Sequence, residues 1–335
     1  MAAASGLAAV WPRRNPEVRP RCANQSEVEG GLVKALLLRA SESGRVHAWL
    51  GRSTLARRAV SRFMPGEGLG DALAAAAGMA AIGISTLLTL LGEDVNAREQ
   101  ADATTLQYLN ALTTISERRL PAHLSVKPTQ LGLGVDNSLL DANLDRLAGA
   151  AAKVERLIWI DMEGSATTDA TIAAYRRLRE RHDNVGLCLQ AYLRRTPSDL
   201  DGLLPLRPRV RLVKGAYQEP PGIALQSKSE VSSAYTRMAL RLLEETGRGH
   251  PPPTLATQDV KLLRSILATA QAARDCYEIA MLYGIRSADL RVLVAQGHRG
   301  ATLISYGSDW AAWYLRRLAE RPANLIFGIT AVVRR

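Results

Sequence analysis

The sequence predicts an α/β fold, a (β/α)₈ TIM-like barrel with an N-terminal helical extension. Three observations predict it. From about residue 81 onward, short apolar runs alternate eight times with longer amphipathic stretches, and parallel strands need such helical crossovers. The apolar runs are near-continuous, as in strands covered on both faces. The stretch that holds them has the length of a closed eight-stranded barrel, about 250 residues. An open doubly wound sheet is the competing fold, and its Gly-rich fingerprint after a strand is absent.

Residues 1–25 read as a disordered leader, Arg-rich and broken by Pro12, Pro16 and Pro20. They lack the apolar core of a secretory signal. Residues 26–79 read as N-terminal helices. Leu32, Leu36 and Leu37, then Trp49, Leu50 and Leu55, recur at helical spacing. Pro65-Gly66-Glu67-Gly68 breaks that pattern, and a short Ala-rich helix follows. Residues 80–335 read as the barrel domain. Its strands are predicted at 82–90, 123–127, 156–162, 185–192, 210–214, 254–257, 277–282 and 301–305. Helices are predicted at 96–118, 137–152, 168–181 with Thr168 or Asp169 as cap, after Pro197, and at 229–245, 260–273, 287–296 and 309–321. Asp71 to Glu93 encloses an uncharged run long enough for a membrane span. Its Ala- and Gly-rich first part gives little transfer energy, so a helix end followed by a buried strand accounts for it better.

Basic residues outnumber acidic ones by 43 to 32, a net charge of +11. They are scattered, with no Lys/Arg block interleaved with aromatics, so nucleic-acid binding is not expected. Cys22, Cys188 and Cys276 are odd in number and widely spaced. That excludes a disulfide framework and a structural zinc site. Cys188 lies in an apolar run and reads as a small buried hydrophobe. The five histidines show no metal-ligand spacing.

Barrel enzymes carry their chemistry at the carboxyl ends of the strands. The fifth strand, Val210-Arg211-Leu212-Val213-Lys214-Gly215-Ala216-Tyr217, places two cations there. Arg211 alternates with Val210 and Leu212, so it points to one face, where it needs an anion as partner. The other strand ends supply Glu93, Lys127, Asp161-Met162-Glu163, Gln190 and Tyr192, then Thr257, Gln258 and Asp259, Tyr283 and Arg286, and Tyr306 and Asp309. The last helix adds Arg316, Arg317 and Glu320, with Arg316 and Glu320 at i,i+4. Arg316-Arg317 fits a solvated helix face as well as an anion site. Cations facing a cavity suit a carboxylate or phosphate. So few acid–base candidates suggest that a cofactor performs the difficult step.

Six stretches resemble the signatures of the proline dehydrogenase family of flavoproteins. They are Leu124-Ser125-Val126-Lys127-Pro128, Asp161-Met162-Glu163, Gln190-Ala191-Tyr192-Leu193, Arg211 to Tyr217, Tyr277-Glu278 with Met281 to Arg286, and Arg316 to Asn324. They occur in the family's order between about residues 80 and 328. The resemblance implies a distorted barrel that binds FAD and oxidises L-proline to Δ1-pyrroline-5-carboxylate. It implies a membrane quinone as acceptor, and a pyrroline-5-carboxylate dehydrogenase downstream. By position, Lys127, Arg316 and Arg317 would hold the proline carboxylate. Asp161 would brace the cations, and Arg211 would lie against the flavin ring. Met162, Gln190, Lys214, Gly215, Ala216, Thr257 and Gln258 would line FAD. Gly215 would be glycine because backbone approaches the cofactor closely. Glu93 would gate the site with Arg316, and Glu320 would orient the arginines.

Four positions depart from the family pattern. Gln258 replaces a His, Leu303 an aromatic Tyr, Ser305 a Pro and Ala280 a Gln. A diverged flavin-binding paralogue is therefore the alternative, with an altered cyclic or secondary amine substrate or with no turnover. A quinone acceptor implies a cytoplasmic protein in peripheral contact with the inner face of a membrane. The basic helices before residue 65 could meet anionic lipid or cover the barrel bottom.

Overall fold

The computed structural model describes residues 60–311. The leader, most of the N-terminal helical extension, and Arg316, Arg317 and Glu320 lie outside them. The described residues form a closed barrel of eight parallel strands in sequence order. The strands are β1 (Ile84–Leu90), β2 (Ala122–Val126), β3 (Ile158–Ile160), β4 (Val185–Gln190), β5 (Arg209–Val213), β6 (Thr254–Ala256), β7 (Glu278–Leu282) and β8 (Gly300–Tyr306). Helix α1 (Leu69–Ala80) precedes β1. The crossovers carry α2 (Arg98–Glu117), α3 (Asn137–Lys153), α4 (Thr168–Arg179), α5 (Thr196–Leu203), α6 (Lys228–Gly247), α7 (Val260–Ala270) and α8 (Ser287–Ala295).

Each strand sends alternate residues outward and inward. Ile84 and Leu88, Leu124 and Val126, Val210 and Leu212, and Ile279 and Met281 join the buried shell beneath the helices. Ser85, Ser125, Arg211 and Glu278 face the interior. Ser125 meets Arg211, and Ser85 meets Glu278, across strands that are not neighbours. Helix α1 buries Ala72, Leu73 and Ala76 and packs against β1 and β8. The uncharged run from 71 to 93 is thus a helix followed by a buried strand. Among the described residues, no helix is long and apolar enough to cross a membrane.

The observed strands differ from the sequence boundaries by one or two residues. β3 is the clearest case, because Asp161 and Met162 have already left the strand. The expected cap of α4 is corrected. A 3₁₀ turn at Ser165–Thr167 runs directly into the helix, which has no side-chain cap bond. Thr167 is already helical, so no extended residue is present whose side chain could reach back to the first turn.

Inside the barrel a large residue is matched by a glycine. Trp159 of β3 pairs in register with Gly186 of β4. A Cβ at Gly186 would collide with the Trp159 ring. The indole forms a buried floor under the carboxyl end of the barrel, with Asp161 two residues on and on the same side.

Candidate active site

The polar end of the barrel is built on a buried ion pair. Arg211 is 4% exposed. Its Nη2 donates to Asp161 Oδ1 and to Ser125 Oγ at 2.9 Å. Ser125 Oγ in turn donates to Asp161 Oδ1 at 2.7 Å, which closes a three-membered network. The guanidinium carbon lies 5.4 Å from the Trp159 ring centroid, within cation–π range. Burial works against the charge on Arg211, but Asp161 and Cys188 outweigh it and hold its pKa above the ordinary arginine value. Cys188, expected as a buried hydrophobe, is buried and stands beside Arg211 in the register. Arg211 Nη1 has no nitrogen or oxygen partner among the described residues.

Lys127 directly follows β2, two residues after Ser125. It is buried, and its Nζ donates to Leu90 O at 2.9 Å and weakly to Thr89 Oγ1 at 3.4 Å. An ammonium has three donors, so one remains for a ligand. Tyr108 of α2 buttresses this corner from behind: its hydroxyl accepts from Leu90 N at 3.1 Å and lies 3.3 Å from Ser125 O.

The segment after Asp161 is tied on three sides. Met162 is buried in the main core. Glu163 accepts from Thr129 N at 3.0 Å and from Thr129 Oγ1 at 2.7 Å. Burial pushes its carboxyl up to about 7 against these hydrogen bonds. Gln190 Nε2 donates to Glu163 O at 2.8 Å, while Gln190 Oε1 accepts from Ala216 N at 3.3 Å. One amide therefore links the ends of β3 and β5. Ser165 N and Oγ each donate to Glu219 at 2.6 Å, which latches the loop after β5 to the turn after β3. Tyr217 Oη reaches Glu93 Oε1 at 3.5 Å across the mouth.

Lys214 turns toward the helices. Its Nζ donates to Asp259 Oδ2 and Ser232 Oγ, each at 3.0 Å. Thr257 Oγ1 accepts from Asp259 N at 3.1 Å in a local turn. Gln258 Oε1 is buried with no partner among the described residues. Gly215 has φ +127°, and a Cβ there would strike the Tyr192 ring. The nearer reason for glycine is thus Tyr192 and the backbone, where the sequence suggested a ligand. Gly215→Ala should destabilise the protein by about 2 kcal/mol or more, from left-handed strain plus overpacking. Urea unfolding checks this, and an unchanged midpoint would contradict it.

The opposite wall is aliphatic. Leu87, Leu303 and Leu282 lie in one register row across β1, β8 and β7. Ala280 lies one inward position below Leu282. Leu303 and Leu282 retain partial exposure, as do Asp161, Val213 and Ala256. The interior therefore opens at its carboxyl end between a cationic wall and an apolar one.

Among the residues singled out from sequence, the structure pairs Asp161 with Arg211 and Gln190 with Ala216, and it places Glu93 against Tyr217 and Lys127 against the end of β1. Lys214, Thr257 and Gln258 form a second group at the ends of β5 and β6. Sequence reasoning missed Ser125, Thr129 and the floor residue Trp159. The signal for Ser125 was its i,i+2 spacing from Lys127.

Residues 72–328 match the family model described as proline dehydrogenase. The chain is 32% identical over 307 residues to "Proline dehydrogenase 2" of Bacillus subtilis (strain 168), covering 91% of this chain and all of that one. It is 30% identical over 281 residues to "Proline dehydrogenase" of Deinococcus radiodurans, covering 82% and 89%. The fold resembles proline utilization A from Bdellovibrio bacteriovorus, inactivated by N-propargylglycine, with TM-score 0.74 and 20% identity. That likeness covers 88% of this chain and 37% of that one, and speaks to fold alone. The matches over most of the chain, with the cationic barrel mouth, lead to one conclusion: the chain belongs to the proline dehydrogenase family.

Proposed function

We propose that this chain uses FAD to oxidise L-proline to Δ1-pyrroline-5-carboxylate and passes the electrons to a quinone. The observation that carries the reading is the buried Arg211–Asp161–Ser125 network beside Lys127, which has a donor to spare. The residues fit the cofactor. Arg211 Nη1 and Gln258 Oε1 are buried polar atoms without a nitrogen or oxygen partner among the described residues. When bound, FAD would supply a two-electron acceptor for the hydride leaving the proline ring.

In this reading Met162, Gln190, Lys214, Gly215, Ala216, Thr257 and Gln258 line the cofactor. Arg211 would stand beside the flavin, where its fixed charge would favour added negative charge. Asp161 holds that charge in place. Lys127, with Arg316 and Arg317, clamps the substrate carboxylate and so orients the ring. Glu93 gates the site with Arg316, and Glu320 orients the arginines. The carboxylates of Asp161 and Glu163 are both engaged, so the amine proton passes to water. The product would go to a pyrroline-5-carboxylate dehydrogenase. Quinone access calls for peripheral contact with the inner face of a membrane in the cytoplasm. The catalytic domain in this reading is residues 80–335.

Lys127→Ala should raise KM for proline by about 10- to 100-fold, the loss of one charged hydrogen bond, with a smaller effect on kcat. Steady-state turnover with an artificial acceptor measures this, and an unchanged KM would contradict the clamp. A second reading rests on Leu303 and Ala280, which make the apolar wall smooth and small. A bulkier cyclic or secondary amine would then be preferred over proline. A panel of such amines, compared by kcat/KM, separates the two, and a panel with no turnover favours the non-catalytic paralogue.

A further inference from the structure

Glu163 stands outside the roles assigned above, yet its carboxylate joins three strand ends. It holds Thr129 by both amide and hydroxyl. Thr129 lies two residues after Lys127, in the 3₁₀ turn Pro128–Gln130 for which Lys127 is the N-cap. Thr129 also reaches the loop after β1: its Oγ1 accepts from Asp94 N at 3.2 Å, and its carbonyl accepts from Val95 N at 3.2 Å. That loop carries Glu93. From β3, therefore, one carboxylate fixes both the backbone that presents Lys127 and the backbone that presents Glu93. Its own carbonyl is pinned by Gln190. It is 3% exposed, so water does not substitute for these bonds.

We propose that Glu163 is a positioning residue that, as the ionised carboxylate, sets Lys127 and the Glu93 loop for binding the substrate carboxylate. The inference rests on the proline-oxidising function proposed above. Its chemistry follows from the donors. A backbone N–H can only donate, so a protonated Glu163 keeps at most one of its two bonds to Thr129 in their present form. The charged groups acting on Glu163 are Lys127 from β2, which favours ionisation, and Glu93 from the loop after β1, which opposes it. Burial sets the balance near neutrality, so within the working pH range the hydroxyl bond must reverse, with Glu163 donating to Thr129 Oγ1 in place of accepting from it.

The test uses the full-length flavinated protein, with proline turnover at pH 6, 7 and 8 and an artificial acceptor. Binding of tetrahydrofuran-2-carboxylate, the ring-oxygen analogue of proline, is followed in parallel by the visible spectrum. For the wild type, KM and the analogue Kd should rise by about tenfold from pH 8 to pH 6, the scale of one charged hydrogen bond. Glu163→Gln should show a raised Kd at pH 8 and little change down to pH 6, with kcat altered by less than about threefold. Thr129→Val, which removes the hydroxyl partner alone, should raise Kd in the same direction. Wild-type pH dependence retained in Glu163→Gln, or kcat lost with Kd unchanged in both variants, would overturn the proposal. A wild type that neither oxidises proline nor binds the analogue would instead count against the functional reading.

Discussion

Asp161→Ala is expected to lower the unfolding free energy by about 3–5 kcal/mol, the cost of leaving a buried charge without its partner. Arg211 stays charged and buried, and Asp161 is the anion beside it. Ser125 would keep its bond to Arg211 but lose its own acceptor. Little of this cost is the worth of the pair itself. Arg211→Met in the Asp161→Ala background should therefore recover about half or more of the loss, because an apolar pair tolerates burial. Urea unfolding of the two single variants and the double variant measures this. Additive losses would show that Asp161 and Arg211 do not act as a unit. Both single variants should also lose most of their turnover, as the charge over the proposed flavin site is removed or released.

The second large effect is a pH-dependent stability at Glu163. Its carboxyl lies near 7 in the fold, against 4.5 for the free group, chiefly through burial. A raised acid pKa means that the fold disfavours the ionised form. Below pH 4.5 both states hold the proton and the group costs nothing. As pH rises toward 7 the unfolded chain releases its proton while the folded chain keeps it, and stability falls. Above 7 the penalty is constant, at about 3 kcal/mol for a shift of this size. Glu163→Gln removes the titration. The stability difference between Glu163→Gln and wild type should therefore move in favour of Gln by about 2–3 kcal/mol between pH 5 and pH 8. Denaturant unfolding across that range checks it, and a difference flat in pH would contradict the buried ionisation. A carboxylate that costs stability in the form the site uses fits the usual trade between stability and function.

The barrel was legible because its signals are local. Each apolar run and each helical period is written within one stretch of chain, and the eight runs became eight strands. Strand ends were less legible. Asp161 and Met162 continue the apolar pattern of β3 although the ladder stops at Ile160. The cations and carboxylates were legible as types at strand ends, and Asp161 and Arg211 do meet, with Ser125, two residues before Lys127, bonded to both. Their partners were not legible, because register and reach across a barrel are not properties of one stretch. Thr129 and Glu163 are 34 residues apart, and Ser125 and Arg211 are 86 apart. The match of Trp159 to Gly186 depends on pairing between strands. Gly215 was legible as a required glycine, but Tyr192, which demands it, lies on another strand end. Arg316, Arg317 and Glu320 lie outside the described residues, so their part in the clamp rests on the family resemblance.

The central claim is that the cationic mouth holds proline against a flavin. An anaerobic visible spectrum of the purified full-length protein, taken before and after L-proline, tests it most directly. A flavin band that bleaches on adding proline is the predicted result. A colourless protein that cannot be reconstituted with FAD would contradict it.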